Sequence, residues 1–294
     1  MRIWKVLLLG VLCIKMAGCG FEAAPTSALE LDNRDSSQVI YGDDSIRDVT
    51  GEAPNSEASV ALVKKSLYDQ YKKNRAIYSV GEVYGVEDLS WSDQPALAFC
   101  SGIFLGDDLV LTAGHCVEND FSCANTNIVF HFSADSQVTT AIACKEVVKY
   151  RNDINGAGLD YALIRMEKNI GRRSFVLNSS AFKRPQVADS LYSLGYPLGS
   201  FMKKALGKIR KIVPESQVYV STLDVFEGNS GSPVFSAKTH QLVGILSSGE
   251  SDFTQKSDDD SAVQVKRCSN KGCSGEFITP IEKILADIGK KRSE

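Results

Sequence analysis

The sequence predicts an all-β protein that ends in a helix, and three observations support this. The chain has 294 residues, which suits one large domain or two small lobes with a buried core. From about residue 97 onward, short apolar runs alternate with Gly, Asp and Asn turns. This spacing is typical of a β-barrel or a β-sandwich and leaves both open. The last apolar segment instead has the period of a helix.

The first 38 residues are typical of export rather than of a folded domain. Arg2 and Lys5 precede an apolar run at 6–14 that is too short to span a bilayer. Residues 16–19 (Met-Ala-Gly-Cys) resemble a bacterial lipobox, which predicts that Cys19 is lipidated and attaches the protein to a membrane. The alternative is ordinary cleavage near 23–28, with Cys19 discarded. Residues 20–38 are small and polar, as expected for a tether or propeptide.

The strand candidates follow in order. Residues 39–41 are a short apolar island, and 59–63 form a first candidate strand. Residues 99–105 and 109–112 flank Gly106-Asp107-Asp108, which predicts a hairpin. The remaining candidates are 128–132, 139–148, 161–165, 190–194, 217–222, 233–235 and 242–247.

The C-terminal segment has the signals of a helix over 279–289. Thr279 is the expected N-cap, Pro280 the first helical residue and Glu282 the reciprocal partner of a capping box. Apolar residues then recur on one face, and Gly289 is a suitable end.

Composition excludes some classes of partner. The net charge of −3 and the lack of a long basic run argue against nucleic-acid binding. No segment after the export signal is long and apolar enough for a transmembrane helix. The acidic stretch at 250–260 is interpreted as a solvated loop, with a calcium site as the alternative.

Eight cysteines are present, and two of them, Cys13 and Cys19, belong to the export segment. The six others are an even number in a chain that is expected to fold in an oxidising compartment. Proximity in sequence favours three pairs: Cys100–Cys116, Cys123–Cys144 and Cys268–Cys273. A zinc site is the alternative, but the spacings form no tight Cys/His cluster.

Three local motifs point to chemistry. They are Leu-Thr-Ala-Gly-His-Cys at 111–116, Leu-Asp-Tyr-Ala-Leu at 159–163 and Gly-Asn-Ser-Gly-Ser-Pro at 228–233. Together they resemble the trypsin/chymotrypsin superfamily of serine peptidases, and the third most resembles the bacterial branch that includes glutamyl endopeptidases. The resemblance is good over residues 97 to 250 and weaker over 39–96.

The chemistry needs these residue types to meet. A serine hydroxyl is a poor nucleophile at neutral pH unless a base removes its proton. His115 fits the base, Asp160 the carboxylate that orients it, and Ser230 the nucleophile. The order His, Asp, Ser is that of the chymotrypsin type. Such a mechanism requires no metal and no organic cofactor, and none is expected.

The resemblance implies further roles. The backbone N–H groups of Gly228 and Ser230 would form an oxyanion hole, where a Cβ on residue 228 would hinder the substrate. Ser247 would support Asp160 and, with Gly249, begin the edge that pairs with the substrate. The strand that contains Cys100 would carry the cysteine that pairs with Cys116.

The sequence also departs from the animal enzymes. Asn229 stands where those enzymes have an Asp that pairs with a newly cut N-terminus, so that activation switch is not expected here. Val39 is either a new terminus of the glutamyl type or part of an ordinary strand. Asp224, six residues before Ser230, would lie at the base of the primary pocket and favour Arg or Lys. Leu246 replaces the His of the glutamyl branch and argues against glutamyl specificity.

The resemblance predicts two antiparallel six-stranded β-barrels in a peptidase domain at 39–294. The barrels are expected at about 58–170 and 185–278, with the C-terminal helix at 279–289. The expected function is a monomeric, exported serine endopeptidase with protein or peptide substrates, in the bacterial cell envelope or secreted. The alternatives are a non-catalytic binding or adhesion protein on this scaffold, and an esterase with the same triad.

Overall fold

The computed structural model describes residues 39–51, 53–73, 77–136, 139–153, 158–177, 182–214, 218–255 and 263–289. The predicted export segment (1–19), its Cys19 lipidation site and the tether (20–38) lie outside the described residues. Within this part of the chain, no helix has the length and apolar character needed to cross a bilayer.

The described chain is mainly β. In chain order the strands are β1 Ile40–Tyr41, β2 Arg47–Asp48, β3 Ser59–Lys64, β4 Ala98–Gly106, β5 Leu109–Thr112, β6 Thr126–Phe130, β7 Thr140–Asp153, β8 Leu159–Met166, β9 Ser190–Gly195, β10 Lys203–Val213, β11 Val218–Ser221, β12 Pro233–Ser236, β13 Leu242–Ser248, β14 Phe253–Gln255, β15 Val263–Val265, β16 Arg267–Cys268 and β17 Glu276–Pro280. The helices are α1 Lys65–Lys72, α2 Val80–Tyr84, α3 Asp120–Ala124 and α4 Ile281–Gly289.

The first barrel closes in the order β3-β4-β5-β8-β7-β6, with every neighbouring pair antiparallel. Its interior is filled by large apolar side chains such as Leu62, Phe104 and Ile164, which alternate with outward residues along each strand. The predicted hairpin joins β4 to β5. Asp107 and Asp108 both have positive φ, the backbone that matches the twist of paired strands.

The second barrel runs β10-β9-β12-β13-β17-β11, and pairing of β11 with β10 closes it. The short strand β2 extends its sheet beside β10. A second apolar cluster, which includes Leu191, Val234 and Ile278, fills this barrel. These features confirm the predicted class: two six-stranded antiparallel barrels followed by a C-terminal helix.

The start of the C-terminal helix differs from the prediction. Thr279 and Pro280 are the last residues of β17, and α4 begins at Ile281. The Thr279 hydroxyl donates to the backbone carbonyl of Asp160 at 3.3 Å instead of capping the helix. Pairing of β17 with β13 satisfies the backbone that the capping box would have served, so tertiary structure overrides the local signal.

Three disulfide bonds are present, Cys100–Cys116, Cys123–Cys144 and Cys268–Cys273, as proximity in sequence predicted. Cys100, His115 and Cys116 lie close enough to form a metal site, but both sulfurs are committed to a disulfide and cannot act as thiolate ligands. Disulfides are typical of oxidising compartments, which agrees with an exported protein.

Candidate active site

The first barrel supplies His115 and Asp160 from neighbouring strands. β5 and β8 pair with Thr112 opposite Ala162, so the chain just after β5 meets the start of β8. His115 lies in a 3-10 turn at Gly114–Cys116. A Cβ on Gly114 would lie 2.0 Å from the Arg151 carbonyl and 2.8 Å from Asp160 Oδ1. Only glycine therefore lets this turn approach Asp160 closely enough.

His115 and Asp160 form a two-point contact. The His115 backbone N–H donates to Asp160 Oδ1 at 3.0 Å, and ring Nδ1 lies 2.8 Å from Oδ2. The Asp160 side chain is fully buried, while that of His115 is 25% exposed. Burial lowers the pKa of His115, but the hydrogen bond and charge of Asp160 more than offset it, so the pKa is raised. The imidazolium is therefore stabilised in place.

Ser230 reaches this pair from the second barrel. Its carbonyl accepts from the Ser101 N–H at 2.8 Å and lies 3.7 Å from the Cys116 sulfur. A Cβ on Gly231 would lie 2.3 Å from the Ser101 carbonyl and from Thr112 Oγ1. The Ser230 turn is thus pressed against the strand ends that carry His115.

The two atoms that would exchange a proton are both buried and unused. Within the described residues, Ser230 Oγ and His115 Nε2 have no hydrogen-bond partner. Catalytic hydrogen bonds are often long in unliganded enzymes and tighten only with substrate. The three predicted triad residues are therefore brought to one place, with the reactive atoms available.

The backbone at Gly228 has a conformation that requires glycine and leaves its N–H without a described acceptor. Gly228 has φ +89, and a Cβ there would lie 2.5 Å from the Tyr196 carbonyl. The Glu227 carbonyl accepts from the Leu198 N–H at 2.5 Å. Because a trans peptide points its C=O and N–H in opposite directions, the Gly228 N–H faces away from Leu198. Neither this N–H nor that of Ser230 donates to another described group.

Ser247 and Gly249, the residues predicted to begin the substrate-binding edge, lie at and just after the end of β13. Ser247 is in β13, and its hydroxyl donates to the Phe277 carbonyl at 3.2 Å; its support of Asp160 stays a prediction. Gly249 follows the end of β13. Beyond Leu246, whose N–H and C=O bond to Ser232 and Gly231, no described strand pairs with β13 on the β12 side. This leaves an open backbone edge beside Ser230.

Asp224 is buried, and its carboxylate is occupied by the N-terminal segment. Oδ1 accepts from the Tyr41 N–H at 2.7 Å, and Oδ2 from both the N–H and the hydroxyl of Ser45 at 2.9 and 2.5 Å. Val39 and Ile40 are also buried, and Ile40 pairs with Arg267 in the parallel β1–β16 ladder. These contacts indicate that Asp224 anchors the N-terminal segment. Its role in substrate specificity stays a prediction, and the contacts do not favour it.

The structure reveals one carboxylate that sequence reasoning missed. Glu276 begins β17 and is 0% exposed, and neither of its oxygens makes a well-aligned hydrogen bond to another described residue. Burial first, and then the charge of Asp252, raise the pKa of Glu276 well above its usual value, although the backbone of Glu250 and the Tyr41 hydroxyl lie close enough to oppose the shift. β17 lies beside β13, the strand whose Leu246 carbonyl accepts from Gly231. The only local signal is Gly275, which has φ +95.

Comparisons with known proteins agree with this geometry. A family model described as a trypsin-like peptidase domain matches residues 100–245. That match contains all three triad candidates and most strands of both barrels. The chain belongs to the trypsin/chymotrypsin-like serine peptidase superfamily. A trypsin-like protease from Streptomyces glaucescens is 27% identical over 219 residues, which are 66% of this chain and 75% of that protein.

Solved structures of this superfamily share the fold. The VesB protease of Vibrio cholerae has a TM-score of 0.50 at 17% identity, over 83% of this chain and 67% of that one. A Glu endopeptidase structure has a TM-score of 0.47 at 18% identity, over 86% and 100% of the two chains. At these identities the likeness concerns the fold and not the substrate. By family and fold, the protein is a trypsin-like peptidase.

Proposed function

We propose that the protein is a serine endopeptidase in which Ser230 is the nucleophile, His115 the general base and Asp160 the carboxylate that orients the base. The observation that carries this proposal is the packing of the Ser230 turn against the His115–Asp160 pair, with both reactive atoms free. Three groups from two barrels meet here, and a purely structural histidine would not need that arrangement.

The proposed reaction is acyl transfer in two halves. His115 Nε2 accepts the proton as Ser230 Oγ bonds to the scissile carbonyl carbon, and the carbonyl oxygen becomes an oxyanion held by the N–H groups of Gly228 and Ser230. Collapse breaks the C–N bond, and His115 gives its proton to the leaving amine. Water then attacks the ester, His115 takes the water's proton, and Ser230 regains its proton as the acid departs.

A peptide substrate fits the open edge of β13. A strand with unpaired N–H and C=O groups can bind an extended peptide by adding it to the sheet. Ser247 lies at this end of β13 and Gly249 follows the strand, so main-chain hydrogen bonds there would align the scissile bond with Ser230. This feature favours a peptidase over an esterase, because a small ester has no backbone to pair.

We infer that the residue before the scissile bond is Lys or Arg, with Glu276 rather than Asp224 as its counter-charge. Asp224 already accepts three hydrogen bonds. Glu276 is a fully buried carboxyl with no well-aligned hydrogen bond in the described chain, and it begins the strand beside β13. Burial raises its pKa and so favours the neutral form, and a substrate cation beside it would favour the ionised form and pair with it.

We also propose that residues 39–294 are the peptidase domain and that the export segment directs it to the cell envelope or outside. Two mature forms remain to be told apart: a lipoprotein that starts at Cys19, and a soluble form that starts near Val39. Intact mass of the protein from its natural host distinguishes them.

The test of the catalytic proposal is labelling by a fluorophosphonate probe, read by intact mass. We expect wild type to gain one phosphonyl group, while Ser230→Ala and His115→Ala remain unlabelled. Hydrolysis of a denatured protein such as casein should follow the same order. If folded wild type neither reacts nor cleaves, the protein is a binding module on a peptidase scaffold and the proposal fails.

A further inference from the structure

Residues 78–97, which we name the clasp, lie between α1 and β4 and include α2 (Val80–Tyr84). A capping box of Ser79 and Glu82 starts the helix, and Gly85 in a left-handed conformation ends it. In sequence, the clasp comes directly before β4, a strand of the first barrel. Four of its apolar residues are nevertheless buried in the apolar cluster of the second barrel: Val80, Val86, Leu89 and Trp91.

The clasp packs near the residues on either side of the Glu227–Gly228 peptide. On one side, Trp91 makes an edge contact with Phe226, at 6.0 Å between ring centroids. On the other side, Leu198 is fully buried in the same cluster as Trp91, and its N–H donates to the Glu227 carbonyl. The residues that flank and hold this peptide are thus packed against one short segment.

Leu198 has an unusual backbone for its residue type. Its φ and ψ are 51 and 25, in the left-handed region that non-glycine residues rarely occupy. Such a conformation persists only where the surroundings determine it. The clasp supplies those surroundings, since the Leu97 N–H donates to the Gly199 carbonyl at 2.9 Å and Trp91 shares the Leu198 cluster.

Trp91 is itself held in place. Lys203, a buried lysine, lies with Nζ 5.0 Å from the Trp91 ring centroid and hydrogen-bonds to Gln94 of the clasp at 2.5 Å. The same ammonium forms an ion pair with Asp48. A cation over an indole face is favourable, so the second barrel fixes the clasp through charge as well as apolar contact.

We infer that the clasp, through Trp91 and Leu198, holds the Glu227–Gly228 peptide in the orientation that directs the Gly228 N–H toward the oxyanion. Trp91 and Leu198 are positioning residues, because neither reaches the reacting atoms. If the clasp is loosened, this peptide can rotate and the site loses one of its two donors. The inference rests on the proposed function and concerns how its oxyanion hole is kept ready.

The test compares Trp91→Ala with wild type in the full exported chain. The first measurement is the second-order rate of labelling by a fluorophosphonate, in which Ser230 Oγ bonds to phosphorus, fluoride leaves and the phosphoryl oxygen occupies the oxyanion position. The second is the Kd of phenylboronic acid, whose adduct also uses that position. Loss of one such donor lowers rates by about 10²–10³, so we expect Trp91→Ala to react about 100-fold more slowly and to bind the boronate more weakly.

Two controls separate positioning from general damage. Trp91→Phe keeps an aromatic ring and should stay within about threefold of wild type. Phe175→Ala removes a comparable ring contact, 5.6 Å from Phe235, on another part of the second barrel and should not change the rate. The pKa of His115, followed by NMR of its ring protons, should be the same in all variants, because the His115–Asp160 pair is untouched.

Leu198→Gly provides a second route if Trp91→Ala does not fold. Glycine accepts the left-handed backbone at little cost, which offsets part of the packing lost when this buried side chain is removed from the cluster it shares with Trp91. We expect the same fall in labelling rate. Labelling of either folded variant at the wild-type rate would overturn the inference, as would a fall accompanied by a changed His115 pKa. Failure of wild type itself to react would instead contradict the proposed function.

Discussion

Asp287, near the end of α4, offers a direct test of how the C-terminal helix is attached. Its carboxylate accepts from the Tyr161 hydroxyl at 2.6 Å and from Arg151 Nε at 3.0 Å, and Lys149 Nζ lies 3.6 Å away. All three partners belong to β7 or β8 of the first barrel. The Asp287 side chain is only 10% exposed. This cluster therefore ties the last helix to the barrel that carries Asp160.

The size of the effect follows from the pKa. The hydrogen bond from Arg151 is the main cause that lowers the pKa of Asp287 from 3.8 to about 2, with the Tyr161 hydroxyl adding to it and burial opposing it. At about 1.4 kcal/mol per pKa unit, the ionised carboxylate stabilises the folded state by about 2 kcal/mol, after allowance for the solvent around Arg151. Because the folded pKa is the lower one, this stabilisation is complete at pH 7 and is lost as the pH falls from about 4 to 2.

The perturbation is Asp287→Asn, which keeps the shape and removes the charge. We expect it to lower the free energy of unfolding by about 2 kcal/mol at pH 7, and by less than about 1 kcal/mol at pH 2.5, where wild type has lost most of the benefit. Urea unfolding at the two pH values measures both differences. Asp69→Asn, at an exposed position in α1, is the control and should change neither.

A pH-independent loss would refute this reasoning. Equal destabilisation at pH 7 and pH 2.5 would mean that Asp287 acts through shape or a neutral hydrogen bond. A loss below about 0.5 kcal/mol at pH 7 would mean that solvent screens the whole cluster.

Two further predictions concern the site. The rate of peptide hydrolysis should rise with pH as His115 loses its proton, with a midpoint above 6.5 because the pKa of His115 is raised. Asp160→Asn should move that midpoint down and lower kcat by roughly 10³–10⁴-fold. An unmoved midpoint in the pH–rate profile would contradict the role of Asp160. In a peptide library, Glu276→Gln should remove the preference for Lys or Arg while Asp224→Asn retains it, and the reverse result would return that role to Asp224.

The parts of the site that sequence could predict are those with local determinants. The glycine before His115 is required by its approach to Asp160, and the turn that follows Ser230 is required by its contact with Ser101 and Thr112. Because these constraints require particular residue types at fixed spacing, they produce short motifs that can be recognised in the sequence alone. The three disulfides join cysteines only 5 to 21 residues apart, so proximity was a sufficient guide.

The parts that sequence could not predict depend on distant contacts. Asp224 meets Tyr41 across 183 residues, and nothing near either residue indicates that pairing. Ser247 donates to the Phe277 carbonyl because β17 lies alongside β13, a contact that the local sequence does not indicate. Thr279 had a complete local capping signal and still became the end of a strand. In each case the hydrogen-bond partner comes from a strand or segment that is distant in sequence, so the local sequence pattern does not predict it.

Ser101 shows why three sequence motifs can suggest catalytic residues but do not by themselves form the site. It is fully buried in β4 of the first barrel, yet its N–H holds the Ser230 carbonyl and its hydroxyl holds the Gly228 carbonyl at 2.7 Å. The same hydroxyl accepts from the Tyr196 N–H of the second barrel at 3.1 Å. Ser230, the proposed nucleophile, and the Gly228–Asn229 peptide are thus held by a residue of the opposite barrel, so the proposed catalytic geometry requires the two barrels to be docked. A change that weakens docking should therefore reduce catalysis before it unfolds either barrel.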